Sequence, residues 1–209
     1  MDTPSSCTLQ DNNCLFNCSN VITYDYFPFN YILFFMSEFV KQSLGSLIQE
    51  LKNDPEKAKV SFEATSVLEE GVRVNSSVRQ FEFKFDEPDL LGGKDDAPNP
   101  VEYVLASLGA CQAIVYRALA SLKGIQLDSV TVKTRGDLDL QGFLGLDNTI
   151  RPGYERIVFE TIIVSNESSD KLERLAEQVD AICPVLDIVS KPVKVEGKLT
   201  IQRANELVG

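Results

Sequence analysis

A mixed fold of long helices and antiparallel strands, on one main domain, is what this sequence predicts. Three observations lead there. Between Lys59 and Phe85 short alternating segments are joined by tight turns; from Asn99 to Lys123 runs a helix that is apolar almost all round; beyond it come two long alternating segments and an amphipathic helix.

The start of the chain stands apart from the rest. Residues 1–35 hold Cys7, Cys14 and Cys18, the acids Asp2, Asp11 and Asp25, and no Lys or Arg. The aromatic run Tyr24 to Phe35 is broken by Asp25, Pro28 and Asn30, so it is too short and too interrupted to span a bilayer. It has neither the basic start of a signal peptide nor the arginines of a transit peptide. The expectation is that Met36 is the working start and that residues 1–35 are an extension without a folded role. The competing reading is a hydrophobic arm that packs on the domain or on a partner, since a row of exposed aromatics needs cover. Residues 36–58 then form an N-terminal helix and connector, 59–203 the main domain and 204–209 a tail.

From Ser37 to Lys52, Phe39, Val40, Leu44, Leu47, Ile48 and Leu51 recur at helical spacing, and Asn53-Asp54-Pro55 stops the helix. Strands take over at Lys59. Val60, Phe62 and Ala64 alternate, Glu69-Glu70-Gly71 turns the chain, and Val72 and Val74 alternate with Arg73 and Asn75. In the third strand Phe81, Phe83 and Phe85 share one face and Glu82 and Lys84 the other. Hairpin-linked strands of this kind predict an antiparallel sheet with one covered face. The loop Asp86 to Pro98 is dense in turn residues and delivers the chain to the long helix.

That helix has marked ends. Asn99 caps it, Pro100 suits the first position because its missing N–H had no partner there, and Glu102 sits where a capping-box acid reaches back. Lys123-Gly124 is the stop. A helix hydrophobic all round belongs in a core or a subunit interface. After Gly124 a strand is expected around Leu127 to Leu140, then a glycine-containing loop, a second strand over Arg156 to Ser165, and a helix over Asp170 to Ile182. Its inner face is Leu172, Leu175, Ala176 and Val179. Cys183-Pro184 puts Cys183 at or near a helix N-terminus. Val193 to Ile201 closes the fold as a last strand.

Composition narrows the chemistry. The 31 acids and 20 bases leave a net charge of −11, which repels phosphate backbones and anionic headgroups, so neither nucleic acid nor a membrane surface is expected as a partner. The chain has no histidine, which removes Ser-His and Cys-His nucleophile pairs and imidazole metal ligands together. Five cysteines without a C-x-x-C pair fit neither a disulfide scaffold nor a zinc knuckle, and no metal or other cofactor is expected. A reducing cytosol fits best. Cys111 in mid-helix is by itself a small buried hydrophobe or the centre of a reactive site. Cys183 is the better placed for reactivity if it precedes a helix, because unpaired amides there stabilise a thiolate.

The runs PNPVEYVLASLGAC and CPVLDIVSKPV, with the order of strands and two long helices, resemble the OsmC/Ohr family of osmotically inducible and organic hydroperoxide resistance proteins, over about residues 59–202. The resemblance implies an α+β fold with antiparallel sheets wrapped around two long central helices in an intertwined homodimer. It also implies thiol peroxidase chemistry. Cys111 attacks a hydroperoxide and becomes a sulfenic acid, Cys183 condenses with it, and an external thiol or dithiol reduces the disulfide. In the peroxidase branches a glutamate that positions an arginine follows the Asn-Pro directly. Here Val101 holds that place and the acid is one residue later, at Glu102, about 100° round the helix. Arg73 and Arg79 are the arginines available in the N-terminal strand region; Glu102 and Arg79 complete the expected site. The alternative is a non-catalytic dimer that binds a small apolar ligand or senses oxidation.

Overall fold

In the computed structural model residues 29–203 are described; the expectations for residues 1–28 and for the tail from 204 lie outside them. Helix α1 (Phe29–Asn53) starts before the expected Ser37. Neither Pro nor Gly lies between Phe29 and Gly45 to stop it, so the stretch just ahead of Met36 is helical. It lies on the long helix α2, where Ser37 Oγ and Ser121 Oγ meet at 3.0 Å in a buried contact.

Three strands follow as a meander: β1 (Thr65–Leu68), β2 (Val74–Val78) and β3 (Phe81–Phe85), all antiparallel, in the order β1-β2-β3. Gly71, at φ 68°, allows the left-handed turn between the first two. The alternation at Val60, Phe62 and Ala64 lies on chain that forms no strand and has no strand partner among the described residues, which corrects the expected start at Lys59. Thr65 pairs with Ser77 near the end of β2, and beyond Val78 the chain turns away into β3, leaving nothing for residues 60–64 to pair with. Cover of the meander is partial as well. Phe83 and Phe85 pack on Tyr103, but β1 is exposed at every residue.

Helix α2 (Pro100–Lys123) keeps both expected ends. Asn99 and Glu102 form a reciprocal capping box, and Gly124 closes it at φ 65°. By length and composition α2 could cross a membrane, yet it serves here as a spine. Leu108, Gly109, Gln112, Tyr116 and Ala120 form its buried seam at helical spacing. The opposite side is open, with Ile114 68% exposed. Strands β4 (Ser129–Asp137) and β5 (Arg156–Val164) pair antiparallel from Ser129↔Val164 to Asp137↔Arg156, with a short helix α3 (Leu140–Phe143) in the connection. Helix α4 (Ser169–Ile182) adds Leu175 and Val179, which with Tyr116, Ala120, Ile125 and Leu127 make the buried core; Leu172 and Ala176 pack against it.

Helix α5 (Pro184–Ser190) follows at once, with Cys183 as its cap residue. The strand expected over Val193 to Ile201 is absent. That segment has no regular secondary structure and is bare, with Leu199 83% exposed. A strand needs a neighbour to hydrogen-bond with, and the described chain offers it none.

Candidate functional site

The two thiols of the described chain face each other, with Cys183 Sγ 3.4 Å from Cys111 Sγ. Two local features bring them there. Cys111 is one residue from the buried seam of α2, so it is rotated about 100° off that seam and stays partly accessible. Cys183 ends α4, which lies across α2 through Leu175 and Val179, and is 1% exposed. Free thiols at this separation need to close by only about 1.4 Å to reach bonding distance.

Cys183 caps a helix as its sequence predicts, but the electrostatic result is reversed. Burial pushes its thiol up from the ordinary value, the amides of Leu186 and Val185 pull the other way without prevailing, and neighbouring Cys111 raises it further. Among the described residues no cation contributes. Cys183 therefore stays a thiol at neutral pH, and Cys111 is the one that solvent reaches.

The protomer does not bring the other expected site residues to the sulfurs. Glu102 accepts from the Asn99 backbone N–H at 2.9 Å while its own N–H donates to Asn99 Oδ1, also at 2.9 Å. It lies nine residues before Cys111, roughly 13 Å along the helix. Arg73 ion-pairs with Glu69 at 3.2 Å and reaches Asp96 at 3.8 Å. The Arg79 guanidinium stands 5.1 Å from the centre of the Phe81 ring, at the exposed β2–β3 turn. Glu102 thus fills its capping role, and neither Arg73 nor Arg79 meets it.

Between β3, α2 and α5 runs an apolar groove of about 430 Å³, lined by Phe85, Tyr103, Val104, Val185, Ile188 and Val189 among others. Ser107, one turn before Cys111, and Val185, two residues after Cys183, tie it to the sulfur pair. On the other side sits a polar cluster. Gln112 is 0% exposed and donates through Nε2 to Asp180 Oδ1 at 3.1 Å, while its Oε1 has no partner among the described residues. Such an orphaned acceptor costs about 1–3 kcal/mol. Burial raises the Tyr116 hydroxyl, opposed by Thr161 and assisted by the Asp180 charge. Gln112 and Asp180 escaped the sequence reading. Their signals were a lone amide in the stripe Leu108, Gln112, Tyr116 and Ala120, and an acid in the last turn of a helix, where the dipole disfavours it.

A cysteine pair on the end of one helix and the middle of another, in a small α+β domain, defines the class; the sequence profile gives the family. The chain belongs to the OsmC-like protein family, whose profile, described as OsmC-like protein, matches residues 93–198. An uncharacterized protein of Haloferax volcanii is 27% identical over 127 residues, covering 60% of this chain and 85% of that one. The crystal structure of an OsmC like protein from Mycoplasma pneumoniae superposes with a TM-score of 0.55 at 20% identity, covering 63% of this chain and 89% of that one. That of a putative osmotic stress induced and detoxification response protein from Psychrobacter arcticus gives 0.50 at 17% identity, covering 62% and 88%. At these identities the structures establish the fold. Helix α1 precedes the residues matched by the family profile.

Proposed function

We propose that this protein is a cysteine-based reductase of organic hydroperoxides that works as a homodimer in the cytosol. The observation that carries the reading is the pair of free thiols at 3.4 Å, one partly accessible and one buried, on helices that also line an apolar groove. Cys111 attacks the distal peroxide oxygen, the O–O bond breaks, the alcohol leaves with a proton, and Cys111 becomes a sulfenic acid. Cys183 then resolves it to a disulfide, and an external thiol or dithiol reduces the disulfide. The groove favours an alkyl hydroperoxide over hydrogen peroxide, because apolar walls stabilise the tail.

A second copy of the chain is supported by what the protomer leaves bare. Residues 60–64 and 193–201 are alternating apolar segments without strand partners, with Phe62 81% exposed. The cation that an activated Cys111 needs would come, on this reading, from across that interface. Arg79 is the candidate. It holds φ 55° in a two-residue turn where Gly or Asn would sit without strain, and a strained residue kept at an exposed turn supports a role for its side chain. Glu102 would orient it from the first turn of α2.

One observation favours a second reading, a dimer that binds an apolar ligand or senses oxidation without turnover: among the described residues no cation acts on the Cys183 thiol, and Arg73 and Arg79 are engaged with other groups. Peroxide consumption in the presence of a dithiol separates the two. Wild type should consume cumene hydroperoxide and Cys111→Ser should not; equal rates reject the enzyme. A Cys111 thiol titrating near or above the ordinary ~8.5 would favour the second reading.

A further inference from the structure

We propose that Gln112 and Asp180 are a positioning pair that holds Cys111 and Cys183 for disulfide closure. The proposal rests on reading the two cysteines as a redox couple. Gln112 follows Cys111 directly, and Asp180 lies one turn before Cys183 on α4. Their hydrogen bond, 3.1 Å between Nε2 and Oδ1, therefore joins α2 to α4 beside both sulfurs.

Neither residue is explained by stability. A seam that otherwise runs Leu108, Gly109, Tyr116 and Ala120 would pack with an aliphatic residue at 112, and the amide there leaves its own Oε1 buried and unpartnered. Asp180 sits at the negative end of the α4 dipole with no basic residue in that turn. Both features become intelligible if the contact fixes the rotation of α2 relative to α4. That rotation decides whether Sγ of Cys111 points at Sγ of Cys183 or away from it.

Closure is the step it serves. Cys183 attacks the Cys111 sulfenic sulfur, the S–S bond forms, the S–O bond breaks, and the departing hydroxide takes the Cys183 proton and leaves as water. Cys183 is a buried thiol without a cation beside it, so little of it is thiolate, and alignment has to supply the rate. With Oε1 unpartnered, Gln112 holds Asp180 through Nε2 alone, a contact that can yield when the sulfurs draw together.

The test uses the full-length protein, reduced and then mixed with cumene hydroperoxide. Sulfenic acid is trapped with dimedone and disulfide is counted by alkylation and mass. In Gln112→Leu, and in Asp180→Ala at a solvent-exposed position that tolerates substitution, the ratio of the closure rate to the first oxidation rate should fall about tenfold and the dimedone adduct should accumulate. Asp180→Asn keeps an oxygen to accept the amide and should restore the ratio to within about twofold of wild type. A second readout needs no peroxide: in oxidised and reduced dithiothreitol mixtures the effective concentration of the pair should fall about tenfold in the first two variants. Wild-type values in folded Gln112→Leu and Asp180→Ala would overturn the proposal. A wild type that ignores peroxide would instead overturn the enzymatic reading, and the dithiothreitol equilibrium would still decide the pairing role.

Discussion

Two small antiparallel sheets share this chain and meet different fates. β4–β5 lies against α2, on which α4 packs in turn, and β4 alternates between half-buried and exposed residues. The β1–β2–β3 meander has a stronger apolar pattern in Phe81, Phe83 and Phe85, yet its cover is partial: Tyr103 packs on Phe83 and Phe85 while β1 is exposed throughout. What separates them is the chain that comes next, not the strands. β5 is followed by an amphipathic helix with an inward face at Leu172, Leu175, Ala176 and Val179, whereas β3 is followed by a turn-rich loop with no apolar face to offer. One half is covered from within the chain; the other leaves Phe62, Val67, Leu68 and Phe81 exposed.

That contrast can be broken at several points. The largest effect belongs to the covered half: Leu175→Ala, at a side chain 1% exposed, should lose about 2–5 kcal/mol in urea unfolding. A loss below about 0.5 kcal/mol would mean that the core lies elsewhere. Next comes the joint between the halves. Asp86 is buried and accepts the amides of Lys94 at 3.0 Å and Asp96 at 3.2 Å; burial opposes its charge, but those amides, that of Glu87 and the Arg73 charge outweigh it and hold its carboxyl below 3.8. A folded value below the unfolded one means that the stabilisation is present above the ordinary carboxylate range and is lost as pH falls through the folded value. Melting temperatures taken from about pH 6 down to pH 2 should therefore drop less steeply in Asp86→Asn than in wild type; parallel curves would contradict the assignment.

Smaller effects probe the bare half. Arg79→Gly should gain about 1 kcal/mol by removing the left-handed strain at φ 55°, while lowering peroxide turnover. Stability and activity rising together would remove Arg79 from the site. Phe62→Asp should change the stability of the fold least, within about 0.5 kcal/mol, yet sedimentation should show the proposed dimer dissociating. A variant that stays dimeric would show that the bare half is not the interface.

Much of this could be read from residues alone because the signals are local. The caps of α2, the turn at Gly71, the alternation of β3 and the inward face of α4 each depend on neighbours within a few positions, and each stands where the sequence predicts it. The expected strand at Val193 to Ile201 and the strand start at Lys59 failed for one reason. Alternation reports that a segment has an apolar face, but a strand also needs a partner edge, and no local pattern says whether the same chain provides one. Glu102 was legible as a capping acid and as an orienting acid, and the protomer settles only the first of these.

The sequence by itself determined the family, the long helices α2 and α4, and the two cysteine motifs, since recurrence of motif and short-range spacing are written along the chain. Tertiary structure alone decided that Cys111 and Cys183 stand 3.4 Å apart, that burial rather than helix amides governs Cys183, and that Gln112 reaches Asp180. These depend on how α2 crosses α4, and that crossing is set by the packing of a whole core rather than by any one segment of the chain.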